Sequence, residues 1–120
     1  LSSLSVDEAT TFHLAAKEAI DNAYRHGNGK AEEKKIRIFF VMKANQISVS
    51  VEDEGEGFDY AYYLDAAKRM SPEQSARERH KEDKTGGLGI IMMKKSSDKL
   101  EYTEPGSKVK ITKMLTKAVN

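Results

Sequence analysis

The sequence predicts an α+β two-layer sandwich, in which helices cover one face of a mixed but largely antiparallel sheet. The first observation is the order of the segments: helix, two strands, helix, loop, helix, two strands. The second is the short turn inside each pair of strands, which favours antiparallel hairpins. The third is length, because 120 residues suffice for one hydrophobic core. We therefore expect one domain over residues 1–120.

The first helix has a start signal, an apolar face and a stop signal. Ser5 is a candidate N-cap, and Glu8 three residues later completes a capping box. The helix should stop near Gly27, which suits a C-terminal cap. Apolar residues recur at helical spacing on one face: Phe12, Ala16, Ala19 and Ala23.

Two hairpins are predicted from segments rich in β-branched and aromatic residues. The first is joined by a turn at residues 44–45 and the second by a turn at Pro105-Gly106. The segment 36–42 is apolar enough to be an inner strand. The four predicted strands are 36–42, 46–51, 99–103 and 108–115.

The rest of the chain supplies two more helices and a polar segment. Residues 60–70 have a helical pattern, and residues 90–93 continue an apolar helix opened by glycines. Residues 71–84 lack a face to bury and are expected to form a mobile loop or a short solvated helix.

Composition excludes several classes of function. Charged residues make up 32% of the chain and nearly balance, with a formal net charge of +1, so nothing indicates a nucleic acid or an acidic substrate. Cysteine is absent, which excludes disulfides and thiolate metal sites and fits a reducing, cytoplasmic location. No apolar run approaches the roughly 20 residues of a membrane span.

The first candidate site is the pair Glu18 and Asn22. The two residues are four apart, so they share a helix face, next to the alanine face. One interpretation is the ordinary solvated edge of an amphipathic helix. The other is a carboxylate that accepts a proton beside an amide oxygen that ligates a hard cation.

The second candidate site is Asp53-x-Gly55-x-Gly57, where a predicted strand ends. A carboxylate there can accept a hydrogen bond from an amino group, and the glycines let a flat ligand approach the main chain. A solvated turn explains the same residues equally well. In either case we expect Glu54 and Glu56 to be solvated.

The third candidate site is the glycine cluster Gly86-Gly87-Leu88-Gly89 before a predicted helix. Free backbone N–H groups and the helix dipole would favour a phosphate there. The cluster is not a Walker A loop, because no Gly-Lys-Ser/Thr follows it. It also fails as a Rossmann fingerprint, because no strand leads into it.

The order of the three motifs is more specific than any one of them. E-x-x-x-N on a helix, then D-x-G-x-G after a strand, then G-x-G before a helix resembles the GHKL, or Bergerat-fold, ATP-binding superfamily. Within it, Asn22-Ala-Tyr-Arg-His-Gly27 and the stretch GGLGIIMMKKSSDKLEY are most similar to anti-sigma factor serine/threonine kinases. The resemblance covers about residues 4 to 115.

The resemblance implies roles for the polar residues. Glu18 matches the general base, which acts on a serine hydroxyl in the kinases of this family or on water in its ATPases. Asn22 matches the Mg²⁺ ligand, and Asp53 matches the acid that binds the exocyclic amine of adenine. Arg25 and Lys84 are further candidates for positive charge near the phosphates.

The same resemblance implies roles for the glycines and the polar segment. Gly55 and Gly57 match the glycines beside the adenine pocket. Gly87, Leu88 and Gly89 fall in the stretch that binds nucleotide, with the two glycines at the phosphates. Residues 60–84 correspond to the ATP lid.

The resemblance thus implies ATP and Mg²⁺ as cofactors and kinase activity toward a STAS-domain antagonist. The implied partners are a sigma factor, the STAS-domain protein and a possible second copy of the chain, without nucleic acid or membrane. Family members usually begin with a further strand and helix, so we expect those to be missing here. Three alternatives stay open: a non-catalytic nucleotide-binding module, the catalytic domain of a histidine kinase and an α/β domain without a ligand. Glu18 in place of the usual Asn or His argues against the histidine kinase.

Overall fold

A computed structural model describes residues 2–3, 5–43, 45–69 and 87–117 of the chain. Its centre is a four-stranded sheet in the order β2-β3-β5-β4, and every pairing in it is antiparallel. The predicted two-layer α+β architecture is confirmed. The strands of this sheet are β2 (Arg37–Lys43), β3 (Gln46–Glu52), β4 (Lys99–Thr103) and β5 (Lys108–Met114). Two short strands, β1 (Ser2–Ser3) and β6 (Thr116–Lys117), pair with each other.

Helix α1 (Val6–Asn22) forms where the sequence predicted it. Ser5 Oγ accepts a 3.1 Å hydrogen bond from the N–H of Glu8, and Glu8 Oε1 accepts one of 3.0 Å from the N–H of Ser5. This reciprocal pair satisfies two orphan donors of the first turn. The predicted apolar face is buried, and Ala15 at 0% exposure also belongs to it.

The end of helix α1 differs from the prediction. The chain continues as a π-helical turn over Ala23–Gly27, and the cap is Asn28, whose N–H donates to Ala23 O. Gly27 is not left-handed; the positive φ values fall at Gly29 and Lys30. Because a wider turn displaces the last residues of a helix, Gly27 is moved toward the sheet and does not act as the cap.

Strand β2 is not the inner strand that its composition predicted. It pairs only with β3 among the described strands, so it is an edge of the sheet, and each of its residues is exposed. Phe40 and Met42 are 65% and 70% exposed. An apolar run is typical of a doubly covered strand, but pairing and coverage are decided by distant parts of the chain.

The core lies between the sheet and two helices. Alternate residues of β3 and β5 point to one face, where Val49, Val51 and Ile111 are buried. Helix α3 (Gly87–Lys95) lies against α1 and adds Ile90 and Met93 to the same core.

Helix α2 (Tyr60–Arg69) confirms the predicted helix at 60–70 to within one residue. The segment that leads into it is held to the turn between β4 and β5. Phe58 N–H donates to Pro105 O over 3.1 Å, and the Tyr60 hydroxyl donates to the Glu104 carboxylate.

The expected loop at 71–84 lies outside the described residues. No helix in the described ranges is long and apolar enough to cross a membrane.

Candidate functional site

A cavity of about 520 Å³ opens between the end of helix α1, the loop after strand β3 and the β4–β5 turn. It is lined by residues of two of the predicted motifs, including Asn22, Asp53, Gly55 and Gly57. Its volume is in the range of small-molecule sites. The fold therefore brings residues separated by more than 30 positions to one concave surface.

The third motif meets the first at the beginning of helix α3. A β-carbon at Gly89 would lie 2.8 Å from Asn22 Nδ2 and 2.9 Å from Glu18 Cδ, with Glu18 Oε1 closer still. With the Glu18 and Asn22 side chains in these positions, only glycine fits where helix α3 approaches α1. Glu18 and Asn22, both partly buried, therefore face another helix and are not a solvated helix edge.

Gly87 and Leu88 form the first turn of helix α3 together with Gly89, whereas the sequence predicted glycines before the helix. The difference does not remove their free donors, because the first four N–H groups of a helix have no partner within it. Gly86 and Lys84 lie outside the described residues.

Asp53 is held in place by its own loop. Its N–H donates to Ser107 O over 2.8 Å, and its Oδ1 accepts a 2.7 Å hydrogen bond from the N–H of Gly55. Among the described residues, no donor reaches Oδ2. One carboxylate oxygen is thus used by the loop, and the other, Oδ2, lies next to Gly27, which lines the same cavity.

Burial raises the pKa of the Asp53 carboxyl above its ordinary value. The hydrogen bond from Gly55 lowers this pKa, the nearby Glu52 raises it, and the positive charge of Lys34 lowers it. Desolvation is the largest of these effects, because a carboxylate loses hydration when it is taken from water.

Glycines make the cavity possible at positions where side chains would collide. A β-carbon at Gly27 would lie 2.7 Å from Asp53 Oδ1, and one at Gly55 would lie 2.8 Å from the carbonyl carbon of Gly27. Gly57 has φ +86°, which favours glycine, and packs on Pro105. Glu54 and Glu56 are exposed, as expected, although Glu56 also lies on the rim of the cavity.

Sequence reasoning missed the aromatic wall of the cavity. Tyr102 stacks on Tyr60 with ring centroids 5.3 Å apart and meets the Phe58 ring edge-on at the same distance. Burial, and then the carboxylates of Asp53 and Glu18, raise the pKa of the Tyr102 hydroxyl, so it stays neutral. Nothing in the local pattern of LEYT indicates this role, since the neighbours of Tyr102 are distant in sequence.

Among the residues that line the cavity, Lys34, Asp53, Glu56 and Asp59 have charged side chains. Arg25 pairs with Asp21 at 3.3 Å along the helix. The described residues contain no cluster of three His, Cys, Asp or Glu side chains able to hold a metal ion. A divalent cation at Asn22 would therefore take most of its ligands from a bound phosphate and from water, as Mg²⁺ commonly does.

Comparison with known proteins assigns the family. A 26% identity over 113 residues relates the chain to "Serine-protein kinase RsbW" of Staphylococcus aureus, covering 92% of this chain and 69% of that protein. The protein of the same name from Staphylococcus epidermidis is 28% identical over 115 residues, covering 94% and 70%. "Anti-sigma F factor" of Oceanobacillus iheyensis is 26% identical over 117 residues, covering 95% and 75%. The sequence profile of the histidine kinase-like ATPase domain matches residues 2–113, and the chain belongs to that family.

Proposed function

We propose that this chain is an ATP-binding anti-sigma regulatory factor that transfers phosphate from ATP to a serine or threonine of a STAS-domain antagonist. The observation that carries the proposal is the close packing of Gly89 on Glu18 and Asn22, beside the cavity that Asn22 shares with Asp53. These contacts support one site built from three separate motifs, with Glu18 at one end, Asp53 at the other and Asn22 between them.

The Asp53 end of the cavity suits an adenine base. The available Oδ2 would accept a hydrogen bond from the exocyclic amine, and Gly55 and Gly57 leave room for a flat ring. The aromatic wall beside them is apolar, which matches the faces of a purine.

The Asn22 end suits the phosphates. The amide oxygen of Asn22 would hold Mg²⁺, and the backbone N–H groups of Gly87, Leu88 and Gly89 at the start of helix α3 would donate to phosphate oxygens. Mg²⁺ held by Asn22 would offset the negative charge of the phosphates during transfer.

Glu18 lies one helical turn before Asn22 and would act on the attacking hydroxyl. Its carboxylate would accept or orient the proton of a serine placed next to the phosphates, which makes the hydroxyl oxygen a better nucleophile. A helix is a rigid support for such a pair.

The proposed protein partners are a sigma factor and the STAS-domain antagonist. The names of the relatives support a serine kinase and an anti-sigma factor. A homodimer and a cytoplasmic location remain predictions from the sequence.

The test is incubation with γ-labelled ATP, Mg²⁺ and STAS-domain proteins of the same organism. We expect acid-stable label on one STAS protein, and we expect it to disappear when its acceptor serine or threonine is replaced by alanine. Binding of ATP without transfer to any of them would favour the nucleotide-binding module. Acid-labile label on histidine would favour the histidine kinase.

The first prediction concerns Asp53. We expect ATP to bind at least about tenfold more tightly than GTP, because guanine has a carbonyl where adenine has an amine, and a mispaired buried polar group costs about 1–3 kcal/mol. The affinity for ATP should fall as the pH is lowered from neutral into the acid range, since the ionised carboxylate is the better acceptor, and its raised pKa makes the loss begin at a higher pH than for an ordinary aspartate.

The measurement is calorimetric titration across this pH range, with Asp53→Asn as the control for titration of the phosphates. Asp53→Asn should no longer bind ATP more tightly than GTP. Its affinity for ATP should keep only the weaker pH dependence that comes from titration of ATP itself. Equal affinity of the parent for GTP would remove Asp53 from the base-binding role.

The second prediction concerns Asn22. We expect Asn22→Ala to lower the affinity for ATP in Mg²⁺ by at least about tenfold, since even outer-shell metal partners are typically worth about 10–100-fold. In EDTA the parent and the variant should bind ATP equally. Asn45→Ala, in an exposed turn away from the cavity, is the matched control. If Mg²⁺ strengthens ATP binding to Asn22→Ala as much as to the parent, Asn22 is only a helix-packing residue.

A further inference from the structure

Asn28 is a buried polar residue that the proposed chemistry does not use. The residue is only 3% exposed and lies just after the π-helical turn at the end of helix α1. Its Oδ1 accepts a 2.7 Å hydrogen bond from the N–H of Glu54, and its Nδ2 donates to Lys35 O over 3.0 Å. One amide therefore connects the helix end to the loop after strand β3 and to the segment before strand β2.

The first of these hydrogen bonds fixes the loop that carries Asp53. Asp53 is anchored on one side by its N–H to Ser107 O, and the next peptide is anchored by Glu54 N–H to Asn28. The backbone on both sides of the Asp53 side chain is therefore fixed, and Oδ1 is bound by the N–H of Gly55. Together these hydrogen bonds determine the direction of Oδ2. The carboxylate has little freedom to turn away from the cavity.

The second hydrogen bond fixes the connection between helix α1 and strand β2. This connection brings Lys34 to the wall of the cavity, where its positive charge acts on Asp53. Holding the Lys35 carbonyl keeps that charge near the carboxylate. Asn28 is suited to both bonds, because a carboxamide donates through its nitrogen and accepts through its oxygen without carrying a charge.

We propose that Asn28 is a positioning residue that sets the base selectivity of the nucleotide site by holding Asp53 in the orientation that pairs with the amine of adenine. This inference rests on the proposed nucleotide-binding function. It goes beyond that function, because Asn28, although it lines the cavity, would act through Asp53: its side-chain amide is already bonded to the two loops. Substitution of a merely structural residue would weaken the binding of all nucleotides alike. Substitution of a positioning residue would remove only the share of the binding free energy that comes from the exocyclic amine of adenine.

The experiment is a thermodynamic double-mutant cycle, in which one change removes the Asn28 side chain and the other removes the amino group of the ligand. ATP and purine riboside triphosphate, which lacks the amino group, are titrated into the parent and into Asn28→Ala. In the parent we expect ATP to bind at least about tenfold more tightly, the value of a buried polar pair. In Asn28→Ala we expect this ratio to fall below about threefold, with the affinity for the analogue nearly unchanged.

Two further variants complete the design. Ser48→Ala is the matched control, because Ser48 is 2% exposed and does not line the cavity; its ratio should equal that of the parent. Asn28→Ser keeps a small polar group that cannot reach both loops, so it should also lower the ratio. It serves as the test variant if Asn28→Ala fails to fold. If neither variant folds, or if both affinities fall in the same proportion, Asn28 is a structural residue and the proposal is wrong. A ratio near one in the parent would instead reject the base-reading role of Asp53, and the proposed selectivity with it.

Discussion

Glu18→Gln is expected to bind ATP like the parent and to lose about 10²–10⁴-fold in phosphoryl transfer, the usual contribution of a general base. Glutamine has nearly the shape of glutamate, so the packing of Gly89 on this side chain is retained. The amide cannot accept a proton at neutral pH, so the attacking hydroxyl would not be activated. The loss should therefore appear in kcat and not in nucleotide affinity.

Binding and transfer should be measured on the same preparation, so that misfolding is not mistaken for lost chemistry. Glu54→Gln is the matched control, because its side chain is exposed on the loop of the site and has no proposed role in transfer. Undiminished transfer by Glu18→Gln would exclude Glu18 as the base. If the parent binds ATP and phosphorylates none of its genuine partners, the chain is a binding module and Glu18 has no proton to take.

Gly89→Ala is expected to leave the fold intact and to lower phosphoryl transfer by at least about 10²-fold, which is the cost of misplacing a reacting group by about 1 Å. The added methyl group would overlap the ends of the Glu18 and Asn22 side chains, within 2.9 Å of Glu18 Cδ. These ends can rotate away, so the helix pair survives while the base and the proposed metal ligand leave their positions. The affinity for ATP in Mg²⁺ should fall with the rate.

A double variant separates this effect from a general loss of packing. If Gly89→Ala acts through Glu18, then Gly89→Ala with Glu18→Gln should transfer phosphate no more slowly than Glu18→Gln alone, apart from the weaker ATP binding. Thermal unfolding followed by circular dichroism checks the fold. Full transfer activity in Gly89→Ala would show that the close approach of helix α3 does not position Glu18.

The elements of the fold that repeat a local pattern were predictable. The capping box at Ser5 and Glu8, the buried alanine face of helix α1 and both hairpins follow from side-chain period and turn residues, which neighbouring positions reveal. The order of the three motifs was enough to identify the superfamily. That Glu18 and Asn22 pack against Gly89 was not predicted, because spacing on one helix does not say what the helix meets.

What the sequence determined by itself is thus the identity and order of the elements and the residue types available for a site. Only the tertiary structure decided that the apolar strand β2 is an edge, that Gly27 faces Asp53 and does not cap a helix, and that Tyr102 forms a wall of the cavity. It also gave Asn28 its two loop partners. The physical reason is that periodicity and turn chemistry act over a few residues, whereas burial, close approach and hydrogen-bond partners depend on segments far apart in the chain.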